Sequence, residues 1–221
     1  MRTVSETLFE EYCVCRALIY ERIDEGNDQT PDYRLEIGDV FLIVEVKQFE
    51  ATNSEAAKLQ ALKEGELLIL DVRPGARVRN KIGSAAPQLQ KHAQGKHPAM
   101  IVLYNNRPFM LGNPASDYEV RIGMYGLETI VWNPGNRFEP PRVIDKRFGP
   151  MRKLTMEHNT TISAVAVLEK NDNELSLTVY HNVHAAIPLP FGLLGRSGAK
   201  EFRLSERQPG NFQTWEEVHG S

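Results

Sequence analysis

The segment from Pro31 to Lys47, PDYRLEIGDVFLIVEVK, constrains this chain more than any other. Tyr33 to Ile37 and Val40 to Val46 are β-favouring runs around Gly38-Asp39, a two-residue hairpin signal. A two-residue turn sets the register by counting, so that Ile37 faces Val40, Leu35 faces Leu42 and Asp32 faces Glu45. Tyr33, Leu35, Ile37, Val40, Leu42, Val44 and Val46 are almost wholly apolar and must be core. At the open end two carboxylates stand opposed, with Cβ atoms about 4.5–5.5 Å apart, where like charges destabilise unless a cation lies between them. Lys47, two residues beyond Glu45, projects from the same face.

The elements around the hairpin point to an α/β fold. Thr3 and Glu6 form a capping box ahead of Leu8, Tyr12, Cys15 and Ile19 at helical spacing, which predicts a helix from about Ser5 to Arg22. Glu50 to Gly65 is polar, alanine-rich and helical or loop-like, and Leu67 to Val72 reads as a short strand. Ile82, Ala86, Leu89 and Ala93 predict a second helix from Val78 to about Gln94, which Pro87 must kink or divide. Ala99 to Tyr104 is a continuous apolar run, as expected of a strand buried on both faces. Asn113 to Arg152 is rich in Pro, Gly and Asn, a long functional loop or a domain-edge insertion without assignable elements. Ile162 to Leu168 and Leu175 to Tyr180 form a second hairpin extending the same sheet, and the tail after Pro188 reads as irregular, with Phe212 and Trp215 as packing residues. The expectation is a mixed β-sheet flanked by helices, with a core over residues 1–112 and a β-rich extension over 113–221 packed on the same sheet.

Composition removes several classes. At 41% apolar and 25% charged residues the chain is neither disordered nor fibrous. The N-terminus lacks the apolar run of a secretory signal, and no stretch approaches the roughly 18 apolar residues of a membrane span, so a cytoplasmic protein is expected. Cys13 and Cys15, two apart on a helix, diverge and read as buried thiols. A net charge of −3 gives no global attraction to a polyanion, so a nucleic-acid surface must be local. Arg73 to His97 contains no acidic residue, and its Arg77, Arg79, Lys81 and Lys91 are candidate phosphate contacts; the bland alternative is a solvated helix face.

Asp32 and Glu45 are oxygen ligands suited to a hard divalent ion, Mg²⁺ with Mn²⁺ as substitute, which would lower the pKa of a bound water and offset charge on a phosphorane-like transition state. Lys47 would orient or help deprotonate that water. For a further carboxylate from the first helix, Glu6, Glu10 and Glu11 compete; the helical wheel favours Glu11, at the edge of the apolar cluster, over Glu10, which points away.

Pro31-Asp32, twelve intervening residues and then Glu45-Val46-Lys47, preceded by a helix with a glutamate, resemble the PD-(D/E)XK nuclease superfamily. The resemblance covers roughly residues 5–105 and implies a restriction-endonuclease-like fold and a Mg²⁺-dependent phosphodiesterase acting on nucleic acid, DNA favoured over RNA. It also implies the Val46 carbonyl as an extra metal ligand, and Gln88 or Lys91 as the auxiliary residue contacting water or phosphate. His181-Asn182-Val183-His184 is similar in composition to HNH nucleases, but lacks a zinc-ligand partner or a compact ββα pattern, so hydrogen bonding at a strand end is expected of it. The leading expectation is an endonuclease or exonuclease; against it stand a non-catalytic nucleic-acid or protein binding module and a fortuitous ion cluster on a sheet protein. A homodimer is left open.

Overall fold

The computed structural model describes residues 2–24, 30–67, 73–172, 174–205 and 213–219. The expected strand Leu67–Val72 falls outside these residues but for Leu67, as does Phe212. Helix α1 (Val4–Cys15) opens on the expected capping box: Thr3 accepts from the Glu6 amide at 3.2 Å, and the Glu6 carboxylate accepts from the Thr3 amide at 2.6 Å. It stops at Cys15 instead of Arg22, because Ala17 adopts a left-handed φ of 52° and Ile19–Arg22 becomes strand β1. β-branched Ile19 and aromatic Tyr20 suit a strand as well as they continue the helical spacing, and pairing with the hairpin decides the matter.

Strands β2 (Tyr33–Ile37) and β3 (Val40–Phe49) pair with Ile37 on Val40, Leu35 on Leu42 and Tyr33 on Val44, the register given by the turn. Gly38 holds the left-handed φ of 59° that this turn requires. Helix α2 (Asn53–Lys63) follows, and α3 (Ala76–Ala93) crosses over to β4 (Ala99–Asn105), which runs parallel to β3. Pro87 does not divide α3; its ring is exposed, and the carbonyl it would crowd belongs to Gly83. The stretch without assignable elements holds helix α4 (Asp117–Tyr125) and a separate antiparallel ribbon of β5 (Glu128–Asn133) and β6 (Arg142–Phe148). Strands β7 (Ile162–Asn171) and β8 (Glu174–His181) form the second hairpin, with β7 parallel to β4. The tail is not irregular: β9 (Lys200–Leu204) pairs parallel with β8 and β10 (Trp215–Val218) antiparallel with β9.

Among the described residues the fold is therefore α/β, a mixed eight-stranded sheet in the order β1-β2-β3-β4-β7-β8-β9-β10 with helices on both faces. On one face Leu8, Phe9 and Tyr12 of α1 pack over Leu42, Val44 and Val46 of β3. On the other, Val78, Ile82 and Leu89 of α3 cover Ile43, Phe49, Ile101 and Leu103. Burying each such side chain contributes roughly 1.5–3 kcal/mol, which holds both helical layers to the sheet. Cys13 is buried as expected and Cys15 is exposed, since the buried stripe of α1 runs through Cys13. Among the described residues no helix is long and apolar enough to cross a membrane.

Candidate active site

Alternation along β3 puts Glu45 and Lys47 on the α3 face, between Ile43 and Phe49. The β2 ladder ends at Tyr33 and Val44, one residue short of Asp32 and Glu45, so β3 continues with that side open. Asp32 turns into the gap. Its amide donates to the Val44 carbonyl at 3.1 Å, and its Oδ2 accepts from the Val46 amide at 2.7 Å. The carbonyl of Val46 lies on the same side of the strand as its amide and so opens towards Asp32.

Glu45 is only 2% exposed. Its Oε1 contacts Lys47 Nζ directly, and its Oε2 is buried without a hydrogen-bond partner. Burial, then the charges of Glu45 and Glu6, push the Asp32 carboxyl up to about 7 against the opposing Val46 amide and Lys47. Burial also raises Glu45, and Lys47 and the Asp32 amide offset this only in part. Two carboxyls held above their ordinary range beside an orphaned oxygen form a site that gains by taking up a cation. The Lys47 side chain keeps partial access to solvent, so its ammonium can meet an incoming anion.

The helical glutamates are arranged differently from the wheel. Helix α1 covers the opposite face of the sheet from Glu45, so its carboxylates approach the site only around the strand end. Glu6, near the N-terminal turn that meets Gln48, is the one whose charge raises both Asp32 and Glu45. Glu11 is exposed and lies 4.0 Å from Lys170, away from the hairpin end. Glu10 does not point away: it accepts from the Tyr33 hydroxyl at 2.9 Å and pairs with Arg2 at 3.0 Å. Among the described residues no three His, Cys, Asp or Glu side chains stand close enough to hold a metal by themselves.

Two basic side chains of α3, Arg77 and Arg79, are committed to the fold. Arg77 pairs with Glu55 of α2 at 2.5 Å, and Arg107 joins the same carboxylate at 2.6 Å. Despite burial, hydrogen bonds from Thr52 and Arg77 and the charge of Arg107 carry Glu55 down to about 2. The structure does not present Arg79 to a phosphate: it is 8% exposed and its Nη1 is sealed beside Gly75 and α4. Lys81 is the helix cation turned to the site: its Nζ stands 5.8 Å from the Phe49 ring centre, two residues along the strand from Lys47. Burial, with the charges of Lys47 and Arg77, lowers its pKa. Gln88 lies two turns on, its Oε1 buried and unpartnered, and no hydrogen bond joins it to Asp32, Glu45 or Lys47 among the described residues. Lys91 is exposed at the last turn of α3.

The sequence reading missed Glu55 and Arg107 altogether; the Thr52–Glu55 capping pattern was the available signal. In the C-terminal half, His181 Nε2 lies 2.7 Å from Glu201, whose oxygens also accept from the Gly192 and Gly195 amides at 2.9 and 2.6 Å. Asn182 donates to the Ile162 carbonyl at 2.7 Å. These residues close the end of β8 by hydrogen bonding, as expected. Comparison with protein-family models, curated proteins and solved structures returned no significant match.

Proposed function

We propose that this chain is a divalent-metal-dependent nuclease, with a restriction-endonuclease-like core, whose site is Asp32, Glu45 and Lys47. One observation carries the reading: the buried, unpartnered Oε2 of Glu45 beside a second carboxyl that also resists ionisation, with a lysine on the same strand face. Such an oxygen fits a cation. Mg²⁺ is commonly held by one or two carboxylates with several waters retained, so Asp32, Glu45 and the Val46 carbonyl suffice without a third carboxylate. Bound there, the ion would acidify an attached water and neutralise charge on a phosphodiester.

The chain's own residues supply the rest. Lys47 Nζ donates to the attacking water or to a non-bridging phosphate oxygen, exchanging its present contact with Glu45 for the substrate. Lys81, over Phe49, adds a second positive charge on the α3 side of the same strand face. The Asp32–Val46 hydrogen bond fixes the carboxyl against the strand end, so the donor set is positioned before an ion arrives. A second reading, a binding module of this fold without catalysis, draws on the direct Lys47–Glu45 contact, which partly neutralises the buried charge with no metal.

Incubation of the purified chain with plasmid, single-stranded DNA and RNA, each with Mg²⁺, Mn²⁺ or EDTA, tests the proposal. Metal-dependent cleavage lost in Lys47→Ala supports it. Binding without cleavage under every condition selects the second reading, and neither binding nor cleavage removes both.

A further inference from the structure

We infer that the β5–β6 ribbon is a nucleic-acid-gripping arm, with Trp132 and Phe138 as stacking surfaces for exposed bases and Arg137 and Arg142 as phosphate contacts. The inference rests on the nucleic-acid reading of the Asp32–Glu45–Lys47 site and assigns the surface that presents substrate to it.

The ribbon forms a sheet of its own, and its strands pair only with each other among the described residues. Two strands alone are marginal in water, and this pair is anchored at its base, where Phe148 is buried against Tyr125 with ring centres 5.9 Å apart. Beyond the base the side chains an ordinary ribbon would hide are in solvent: Trp132 is 59% exposed and Phe138 90% exposed. The tip is nevertheless organised. Asn136 donates from its amide to the Glu139 carbonyl at 2.9 Å, and its Oδ1 accepts from the amides of Phe138 and Glu139 at 2.8 and 3.1 Å. Gly135 takes a left-handed φ of 77° close against Glu139 and Pro140, and the flanking prolines stiffen the turn. An aromatic ring held out on a defined turn is preorganised for contact, so little conformational entropy remains to be lost on binding.

Charge selects the partner. The chain as a whole carries −3, yet the ribbon, residues 128–148, holds four basic against three acidic side chains. Two of the basic groups are matched inside the ribbon, Lys146 with Glu128 at 2.8 Å and Arg147 with Asp145 at 3.7 Å. Arg137 and Arg142, at the tip and at the start of β6, have no acidic partner among the described residues. Aromatic faces interleaved with unmatched arginines fit bases and phosphates better than they fit an apolar protein surface. Placement agrees. Just beyond the base, Lys153 donates its amide to the Met124 carbonyl at 3.1 Å, and its ammonium would lie 3.8 Å from a Cβ added at Gly83 of α3. Phe148 and Leu154 share a buried cluster with Val78, Ile82 and Leu89 of α3, so the arm is rooted in the helical layer that covers the Glu45–Lys47 face.

The chain has two tryptophans, and the second, Trp215, is packed between Tyr125, Tyr180 and Arg121. Trp215→Phe therefore leaves Trp132 as a single reporter. Its fluorescence is followed in EDTA on titration with a single-stranded oligonucleotide, a duplex and an RNA, while plasmid cleavage with Mg²⁺ is assayed separately on the unsubstituted chain. Saturable quenching of Trp132 is expected, strongest with the strand whose bases are unpaired. Phe138→Ala should weaken binding by on the order of tenfold, the scale of one stacked base. Arg137→Ala with Arg142→Ala should flatten the slope of log affinity against log salt by about one to two. Cleavage by the chain with no change at Trp132 would overturn the arm while leaving the nuclease reading intact. Absence of both binding and cleavage removes both. A blue-shifted Trp132 emission that follows protein concentration without nucleic acid, with a matching dimer in sedimentation, would assign the ribbon to a second copy and overturn the inference.

Discussion

Two buried carboxylate clusters lie on the same sheet and differ in one respect. Glu201 on β9 has every oxygen occupied: His181 and the Gly192 amide on one, the Gly195 amide on the other. Burial pushes its pKa up, yet those hydrogen bonds carry it below the ordinary range. Glu45 on β3 is as deeply buried but has one oxygen spent on Lys47 and the other on nothing, and its pKa is raised. A carboxylate used by the fold is saturated by it. One that the fold leaves wanting gains most from a further partner, which is why the proposed site is placed at Glu45 and not at the more conspicuous histidine cluster.

The largest expected effects test that contrast at its functional end. Asp32→Ala should abolish calorimetric metal binding and cleavage together, because one carboxylate and a carbonyl hold a hydrated ion too weakly. Lys47→Ala should keep most of the metal affinity and the nucleic-acid binding and lose cleavage by about 10² or more, the scale of one acid–base or electrostatic group. Full cleavage by Lys47→Ala would break the comparison, since Glu45 would then be no more functional than Glu201.

At the structural end, Glu201→Gln should destabilise the fold by about 3 kcal/mol, because it strands the groups that the carboxylate satisfies, and cleavage per folded molecule should be retained. Asp32→Asn keeps an acceptor for the Val46 amide and removes a charge the fold disfavours. It should stabilise the metal-free chain at pH 8 by about 1–2 kcal/mol, a value discounted for residual solvent access. Denaturant melts of both variants in EDTA give the two signs directly, and equal signs would refute the distinction.

The pH dependence should divide the same way. Asp32 has a folded-state pKa near 7, above its ordinary value of 3.8, so its contribution favours folding at low pH and is lost as pH rises between those values. Glu201 is depressed, so its contribution is present above its ordinary value of 4.5 and is lost as pH falls through the folded-state pKa. In EDTA, stability should therefore decline from about pH 4 to 7 in the wild type, and Asp32→Asn should flatten that decline. Saturating Mg²⁺ should also flatten it, through preferential binding to the native state.

How far the sequence reveals this depends on how local the determinants are. Gly38-Asp39 quantises the register, so the pairing from Ile37–Val40 to Tyr33–Val44 follows from counting, and Asp32, one step beyond it, meets β3 through Val44 and Val46. The apolar run at Ala99–Tyr104 needs no partner to declare itself buried. The end of α1 is not legible, because Ile19 and Tyr20 extend the helical spacing while pairing with β2 takes them into a strand. The fate of the basic run depends on groups distant in sequence: Glu55, which takes Arg77, lies 22 residues before it, and α4 seals Arg79. The ribbon is hidden by its loop of Pro, Gly and Asn and by a register shift at Val131–Trp132, which erases simple alternation.

The smallest expected effect concerns Glu11, and it separates the wheel from the packing. A wheel drawn through Leu8, Tyr12, Cys15 and Ile19 sets Glu11 beside the core, but the buried stripe runs through Leu8, Phe9, Tyr12 and Cys13, which leaves Glu11 on the opposite side. There its carboxylate is half in water, 4.0 Å from Lys170, a surface pair worth about 0–1 kcal/mol. Glu11→Ala should therefore change cleavage by less than about twofold and leave metal affinity unaltered, whereas Glu6→Gln, which removes a negative charge felt by both Asp32 and Glu45, should weaken metal binding measurably. Its amide oxygen still accepts from Thr3, so the N-terminal cap of α1 survives the change. Calorimetric Mg²⁺ titration of the two variants decides between the positions. A loss confined to Glu11→Ala would mean that α1 turns its other side to the hairpin when the ion binds.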